Sequence, residues 1–215
     1  MRPYQTLIVA LLFLVPLSLA GCGNTQPTRF YVLSAIPQKP APSPGQGAAI
    51  GVGPITIPQY LDRPQIVTRT GDNQLALGEF DHWGGNLDDN IKLTLASNLA
   101  TLLETDRVSL FPWKDAAPIE YQVTIDIETF EANDQGTAVL SVFWSIINPK
   151  DGTVMMTMRR SSYEEPTGQG GGTGVAGVLS TASPRPYDAI AAAMSRDLEK
   201  LSRDIASAIA GLHPS

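Results

Sequence analysis

The tripeptide Asp81-His82-Trp83 places a carboxylate beside one of only two histidines in the chain. A carboxylate and an imidazole could hold a metal ion or act together as a base. The other histidine, His213, lies close to the C-terminus, so His82 has no second ligand at helical or hairpin spacing. Trp83 is more typical of a packed core residue. We therefore expect a structural role for this tripeptide and no histidine-dependent catalysis.

Two further patterns could support catalysis, and each has a simpler explanation. Asp126, Glu128 and Glu131 could pair as acid and base, but they fall on the polar face of an alternating strand, where solvated charges are the usual content. The glycine-rich run from Gly168 to Gly174 lacks the Lys-Ser/Thr ending of a phosphate loop, which favours a surface loop. The chain has no Gly-x-Ser-x-Gly motif for a serine nucleophile. We expect neither an enzyme nor a site for a metal or cofactor.

The only cysteine, Cys22, follows Leu19-Ala20-Gly21 at the end of an apolar run. One positive charge, Arg2, precedes the thirteen uncharged residues Leu7–Leu19. As a helix these would span about 20 Å, short of the ~30 Å hydrocarbon core of a bilayer. The pattern indicates a cleaved export signal rather than an uncleaved anchor with a buried cysteine. It resembles the bacterial lipobox, in which the cysteine is acylated and the chain is cut before it.

Lipidation would divide the chain into a signal peptide (1–21), a lipidated cysteine with a short linker (22–28) and one domain (29–215). Two or more acyl chains, such as those of a diacylglycerol group and a palmitoyl group, anchor a protein stably. The linker from Gly23 to Thr28 reaches at most about 20 Å, so the domain should lie close to the membrane. By resemblance to enterobacterial sorting, an aspartate at position 23 would retain the protein in the inner membrane. Gly23 therefore favours the periplasmic face of the outer membrane.

Composition limits the classes of partner. The chain has 15 Lys and Arg against 21 Asp and Glu, a formal net charge of −6. This excess of acid does not suggest a nucleic-acid partner, and it disfavours purely electrostatic adhesion to anionic lipids. A hydrophobic content of 43% is ordinary for a globular fold, and the length suits one domain with a proper core.

The elements that would position these residues follow from hydrophobic periodicity. Alternation and β-branched content predict strands at Arg29–Leu33, Ala48–Ile57, Ile66–Thr70, Gln74–Leu77, Val108–Phe111, Tyr121–Glu128, Ala138–Ile147 and Thr153–Tyr163. Helical spacing predicts two amphipathic helices, one beginning at Asn86 and one over Asp188–Leu212. Pro54 should bend its strand or place it at a sheet edge, and Pro166–Pro184 reads as a mobile loop. The expected fold is α/β, a single-domain sandwich with a mixed, largely antiparallel sheet and two main helices packed on it.

The connection from Pro58 to Arg63 carries more specific side chains than a spacer needs. Either an Asp–Arg pair stabilises the loop or the loop forms a partner surface, and the sequence leaves both open. The candidate partner-binding residues are Tyr60, Asp62, Arg63, Gln65, Arg69 and Trp83. If they form a partner surface, replacing Arg63 or Arg69 by alanine should weaken capture of the partner with little loss of stability.

The stretch Val52–Arg69 closely resembles the signature of the ABC-type transport auxiliary lipoprotein family. The other matching features are Phe30-Tyr31-Val32-Leu33, Trp83 followed by a helix with Asn98-Leu99, Pro112-Trp113, and a closing helix that begins near Tyr187-Asp188. The resemblance covers nearly all of the chain after Cys22. It implies an α/β sandwich and a non-enzymatic accessory of an envelope lipid-transport system.

The resemblance also implies partners. These are an MCE-domain protein of an ABC lipid transporter and outer-membrane lipid, with homo-oligomerisation left open. A docking lipoprotein is therefore the first hypothesis. The alternative is a periplasmic lipid-binding shuttle that itself carries a phospholipid in a cavity between the sheet and the closing helix. A third class, an envelope hydrolase, has no support in the residues.

Overall fold

The computed structural model describes residues 26–38, 45–113, 118–168 and 186–212. Within them lie eight strands: β1 Arg29–Tyr31, β2 Ile50–Thr56, β3 Gln65–Gly71, β4 Gln74–Trp83, β5 Val108–Leu110, β6 Tyr121–Asn133, β7 Thr137–Ile147 and β8 Val154–Pro166. The helices are α1 (Leu87–Leu102) and α2 (Pro186–Leu212). Every predicted strand and helix is present, although β4 and β6 run several residues further than expected. The predicted signal, Cys22 and most of the predicted glycine-rich loop lie outside the described residues.

All eight strands belong to one sheet with β6 at its centre. Along one edge of β6 lies β7, followed by β8, and both pairings are long and antiparallel. Along the other edge, β2 pairs in parallel with the first half of β6, and β3 with its last residues. Beyond β2 lies β5, and beyond β3 lie β4 and then β1. The expected α/β fold with a mixed, largely antiparallel sheet is confirmed.

A bulge in β6 changes which side chains face the core. Before it, Val123, Ile125 and Ile127 are buried, in keeping with strict alternation. The register against β7 then shifts between Ile127 and Thr129. After the shift Phe130 is the buried core residue, so Glu131 lies on the opposite face of the sheet. The local sequence carries no glycine or proline that would announce this shift.

The two helices pack against each other and against one face of the sheet. Their buried residues recur every three or four positions, as an amphipathic helix requires: Leu87, Ile91, Leu95 and Leu99 in α1, and Ile190, Met194, Leu198, Leu201, Ile205 and Ile209 in α2. A buried amide joins the two helices. Asn98 donates from Nδ2 to Ser202 Oγ at 3.0 Å and accepts the backbone N–H of Ile36 at 2.9 Å. The segment that follows β1 is thereby fastened over both helices.

Pro54 interrupts the ladder of β2 as expected, because the register against β6 shifts between Val52 and Ile55. Pro54 also lies beyond the two-sided part of the strand, because the pairing with β5 covers Ile50–Val52 and only the pairing with β6 resumes at Ile55. The proline lies where the pairing is already interrupted, so its missing N–H costs no ladder hydrogen bond. Neither described helix is long and apolar enough to cross a membrane.

Candidate functional site

The connection between β2 and β3 is a tight, anchored turn. The Leu61 N–H donates to Pro58 O at 2.9 Å, the Arg63 N–H donates to Leu61 O at 2.8 Å, and Leu61 is buried in the core. Asp62 and Arg63 are exposed beside it. Neither side chain forms an ion pair or hydrogen bond with the other or with any other residue that the structure describes. The loop-stabilising Asp–Arg pair is therefore not formed, and both charges face outward from a fixed backbone.

Glu131 lies beneath this connection and is only 2% exposed. Its Oε1 accepts from Arg69, at 2.9 Å from Nε and 2.7 Å from Nη2. Its Oε2 accepts from the Tyr60 hydroxyl at 2.7 Å and from the backbone N–H of Phe130 at 3.1 Å. A buried carboxylate is costly unless it is paired and hydrogen-bonded, and here every lone-pair region has a donor. Tyr60, Arg69 and Glu131 form the Glu131 cluster. This cluster ties the connection from Pro58 to Arg63, the signature connection, to β3 and β6.

The pKa values of the cluster reflect this pairing. The hydrogen bond to Glu131 raises the pKa of Arg69 above its usual value. Burial raises the pKa of the Tyr60 hydroxyl, and its hydrogen bond to Glu131 raises it further. Tyr60 and Arg69 therefore keep their protons at any physiological pH and donate hydrogen bonds to Glu131. Their primary role is structural, although Arg69 remains 34% exposed.

Two expectations for single residues are corrected by this geometry. The sequence predicts a solvated Glu131, but the bulge in β6 turns its side chain towards the Tyr60 hydroxyl, where it is buried. Trp83, a candidate contact residue, is a buried core residue whose backbone N–H donates to Pro64 O at 2.7 Å. Trp83 thus holds the end of the connection from inside. Gln65 is half-buried and lies opposite His82 in the β3–β4 register.

Asp81 serves the fold, as the structural interpretation of its tripeptide predicted. Its carboxylate accepts two hydrogen bonds from Arg29, at 2.7 Å each, and one from the Tyr31 hydroxyl at 2.7 Å. Burial would raise the pKa of Asp81, but the hydrogen bonds from Arg29 and Tyr31 outweigh burial and hold that pKa below its usual value. The ring of His82 forms a hydrogen bond with the carbonyl of Glu79 at 3.2 Å and stands edge-on to the ring of Phe30. Within the described ranges no group of three or more His, Cys, Asp or Glu could hold a metal ion.

The two remaining acidic candidates on β6 have separate partners. Asp126 accepts from Thr56 Oγ1 at 2.6 Å, and Glu128 pairs with Arg160 at 2.9 Å on the exposed face of the sheet. Both carboxylates are exposed, which confirms the solvated role expected for them. Nothing in this arrangement pairs an acid with a base.

Sequence reasoning missed one unusual group, Asp197 on α2. Its side chain is fully buried, and neither carboxylate oxygen has a hydrogen-bond partner in the part of the chain that the structure describes. The nearest cation is Lys200, whose Nζ lies 4.0 Å from Oδ1. Burial raises the pKa of Asp197 to about 7. The available signal was its spacing, three residues after Met194 and four before Leu201, which places it on the apolar stripe of the helix.

A family model described as the ABC-type transport auxiliary lipoprotein component matches residues 31–206. The chain belongs to the ABC-type transport auxiliary lipoprotein family. The match spans the signature connection, the Glu131 cluster and α2 as far as Ala206. Two curated relatives, both named intermembrane transport lipoprotein PqiC, come from Escherichia coli (strain K12) and Shigella flexneri. Each is 25% identical over 136 residues, 62% of this chain and 71% of the relative.

Two solved structures have the same fold as this chain. A crystal structure of an uncharacterized protein has a TM-score of 0.64 at 18% identity and covers 86% of this chain and 99% of that one. A Xanthomonas campestris protein has a TM-score of 0.63 at 16% identity, covering 86% of this chain and 97% of that one. At such identities the similarity concerns the fold alone. The chain therefore shares with these structures its curled sheet and the two helices packed on it.

Proposed function

We propose that this protein is a docking lipoprotein of an MCE-type ABC system that moves lipid between membranes, anchored through Cys22 on the periplasmic face of the outer membrane. The family and the curated relatives support a transport auxiliary role. The partner, the membrane and the anchor are the parts that we propose. The energy for transport would come from the ATPase of the system.

The observation that carries the docking role is that the unpaired side chains of Asp62 and Arg63 are exposed on a connection whose backbone is fixed by the residues around it. Leu61 is buried on one side, and the Glu131 cluster fixes the flanking residues on the other. Charged side chains of a loop on a rigid scaffold are well suited to recognise a partner, because they lose little entropy on binding. Since neither side chain, that of Asp62 or that of Arg63, has a partner among the described residues, no contact within the fold accounts for their charges.

The decisive experiment is capture of the MCE-domain protein by purified variants, alongside thermal melts. We expect Arg63→Ala and Asp62→Ala to melt like the wild type and to weaken capture, with about a thirtyfold loss in affinity for a contact worth ~2 kcal/mol. Arg159→Ala is the matched control, because Arg159 is an exposed arginine on β8, at the other edge of the sheet. Capture at wild-type strength by both Asp62→Ala and Arg63→Ala would overturn the docking role of this connection.

A second candidate, the lipid-binding shuttle, is favoured by one feature. An open cleft of about 460 Å³ lies where β8 ends beside α2, and its lining combines Pro166, Ala189 and Ala192 with the charged residues Asp188 and Arg196. Small-molecule sites are mostly apolar clefts of roughly this size. Native mass spectrometry discriminates between the two functions, because it detects phospholipid that stays bound to the protein after purification and delipidation. Phospholipid retained at close to one per chain would favour the shuttle, and its absence the docking role.

A further inference from the structure

Phe30 and Val32 form an exposed apolar patch on the edge strand β1 and the residues just after it. Their exposed fractions are 68% and 59%, whereas Tyr31 and Leu33 between and after them are buried. The ring of Phe30 stands edge-on to that of His82 on β4, with centroids 6.1 Å apart. An outward face of a half-buried strand ordinarily carries polar residues. Two large apolar side chains are therefore exposed to solvent and contribute nothing to the buried core.

The patch is rigid rather than part of a frayed end. The double hydrogen bond from Arg29 to Asp81 and the bond from the Tyr31 hydroxyl to Asp81 fasten β1 to β4. The Gly84 N–H also donates to Tyr31 O at 2.7 Å. On the other side, the Ser34 N–H donates to the hydroxyl of Ser195 on α2 at 3.0 Å. The exposed side chains are thus presented in one orientation.

The position of the patch along the chain determines what it can reach. Phe30 is eight residues after Cys22, and eight residues span at most about 29 Å when fully extended. Met158, equally open at 66% exposure, lies on β8, which is separated from β1 by five strand-to-strand steps. Five such steps amount to roughly 24 Å at ~4.8 Å each. Along the chain β1 is the edge strand closest to Cys22, so the tether brings it to the point of attachment more readily than β5 or β8.

We propose that the patch of Phe30 and Val32 rests on the lipid bilayer that holds Cys22 and sets the orientation of the domain on the membrane. This inference rests on the proposed function only in taking Cys22 as the point of attachment. The net charge of −6 disfavours purely electrostatic adhesion, so apolar side chains suit the contact better. Phe and other large apolar side chains are typical of the faces that peripheral proteins bury at the boundary between headgroups and acyl chains. The tether makes the contact intramolecular, so a patch too weak to bind a membrane alone is sufficient.

This orientation has a consequence for the candidate site. Phe30 pairs with His82, and His82 pairs with Gln65, so the three residues form one row across β1, β4 and β3. The row covers two strand-to-strand steps, about 10 Å. Asp62 and Arg63 precede Gln65 by three and two residues. A membrane-bound patch would therefore hold the exposed connection close to the membrane plane, where a partner that delivers lipid would arrive.

The test uses the chain from Cys22 to Ser215, which contains every described residue, coupled through its only thiol to phosphatidylcholine vesicles that contain maleimide lipid and brominated lipid. Phe30→Trp and Val32→Trp report on the patch, and Met158→Trp is the equally exposed control. We expect brominated lipid to quench the added emission of both patch variants severalfold more than that of Met158→Trp, after subtraction of the wild-type signal.

Equal quenching of the patch and control variants, or none at position 30 and position 32, would overturn the proposal. Chemical coupling makes this result independent of natural acylation and of any protein partner. Failure of partner capture by the docking variants would thus leave the vesicle result standing. Conversely, an unquenched patch would leave the docking role of Asp62 and Arg63 standing.

Discussion

Replacement of Arg69 by alanine tests whether the signature connection depends on its buried carboxylate. In the wild type, Arg69 supplies both donors to Oε1 of Glu131. In Arg69→Ala that oxygen would stay buried without either, while Oε2 would keep the Tyr60 hydroxyl and the Phe130 N–H. The sequence led us to expect little loss of stability from this substitution. The geometry predicts the opposite.

The size of the loss follows from what Glu131 retains. Breaking a buried ion pair by removing one partner costs about 3–5 kcal/mol. Arg69 is 34% exposed, so solvent screens part of the interaction, and half of the carboxylate keeps its donors. We therefore expect Arg69→Ala to lower the free energy of unfolding by about 2–4 kcal/mol, or roughly 4–16 °C in melting temperature for a domain of this size.

The assay is chemical denaturation of Arg69→Ala, Glu131→Gln and the double variant, with Arg63→Ala as the exposed-arginine control. Glu131→Gln removes the charge, so the double variant should lose at least ~1 kcal/mol less than the sum of the two single losses. Arg63→Ala should stay within about 0.5 kcal/mol of the wild type. If Arg69→Ala matched Arg63→Ala and the two single losses were additive, Glu131 would not depend on the pair, and the structural role of Arg69 would be refuted.

Two further predictions concern Asp197 and Cys22. The pKa of Asp197 is about 7 in the fold against a reference value of 3.8, so the stability from its bound proton is complete below pH 3.8 and is lost as the pH rises through 7. The unfolding free energy should fall by up to ~1.4 kcal/mol per pH unit between pH 4 and 7. Asp197→Asn should flatten that fall, and parallel pH profiles of the two proteins would contradict this. Cys22→Ser should leave an uncleaved or soluble protein in membrane fractionation and intact-mass measurements, and a mature variant in the outer membrane would contradict the lipoprotein assignment.

Periodicity predicted the elements well because burial of one face imposes it. The alternation at the start of β6 and the spacing of α2 are the direct traces of a sheet face and a helix stripe packed on each other. The bulge after Ile127 could not be predicted, because it depends on the pairing with β7 rather than on a local turn residue. The order of strands around β6 likewise depends on contacts between distant parts of the chain.

The sequence predicted which residues form the candidate site but not which of their side chains are buried. Arg63 and Arg69 are equivalent in the sequence, yet one is exposed and the other pairs with a residue 62 positions away. The same holds for Asp81, whose partner Arg29 lies 52 positions away. Pairings at such separations leave no local pattern. Composition can therefore identify a stretch rich in specific side chains. Only the fold shows which of these side chains are buried and stabilise the stretch and which are exposed and free to bind a partner.

The division of roles within the signature stretch has a physical logic. Leu61 contributes to the core, and Tyr60 and Arg69 satisfy Glu131, so the backbone between them is determined before any partner binds. A flexible loop with the same charges would lose conformational entropy on binding, at about 0.5–1.5 kcal/mol for each side chain immobilised and more for the backbone. Holding the connection from below removes most of the backbone part of that cost. Glu131 would thus strengthen capture through the rigidity of Asp62 and Arg63, without touching the partner itself.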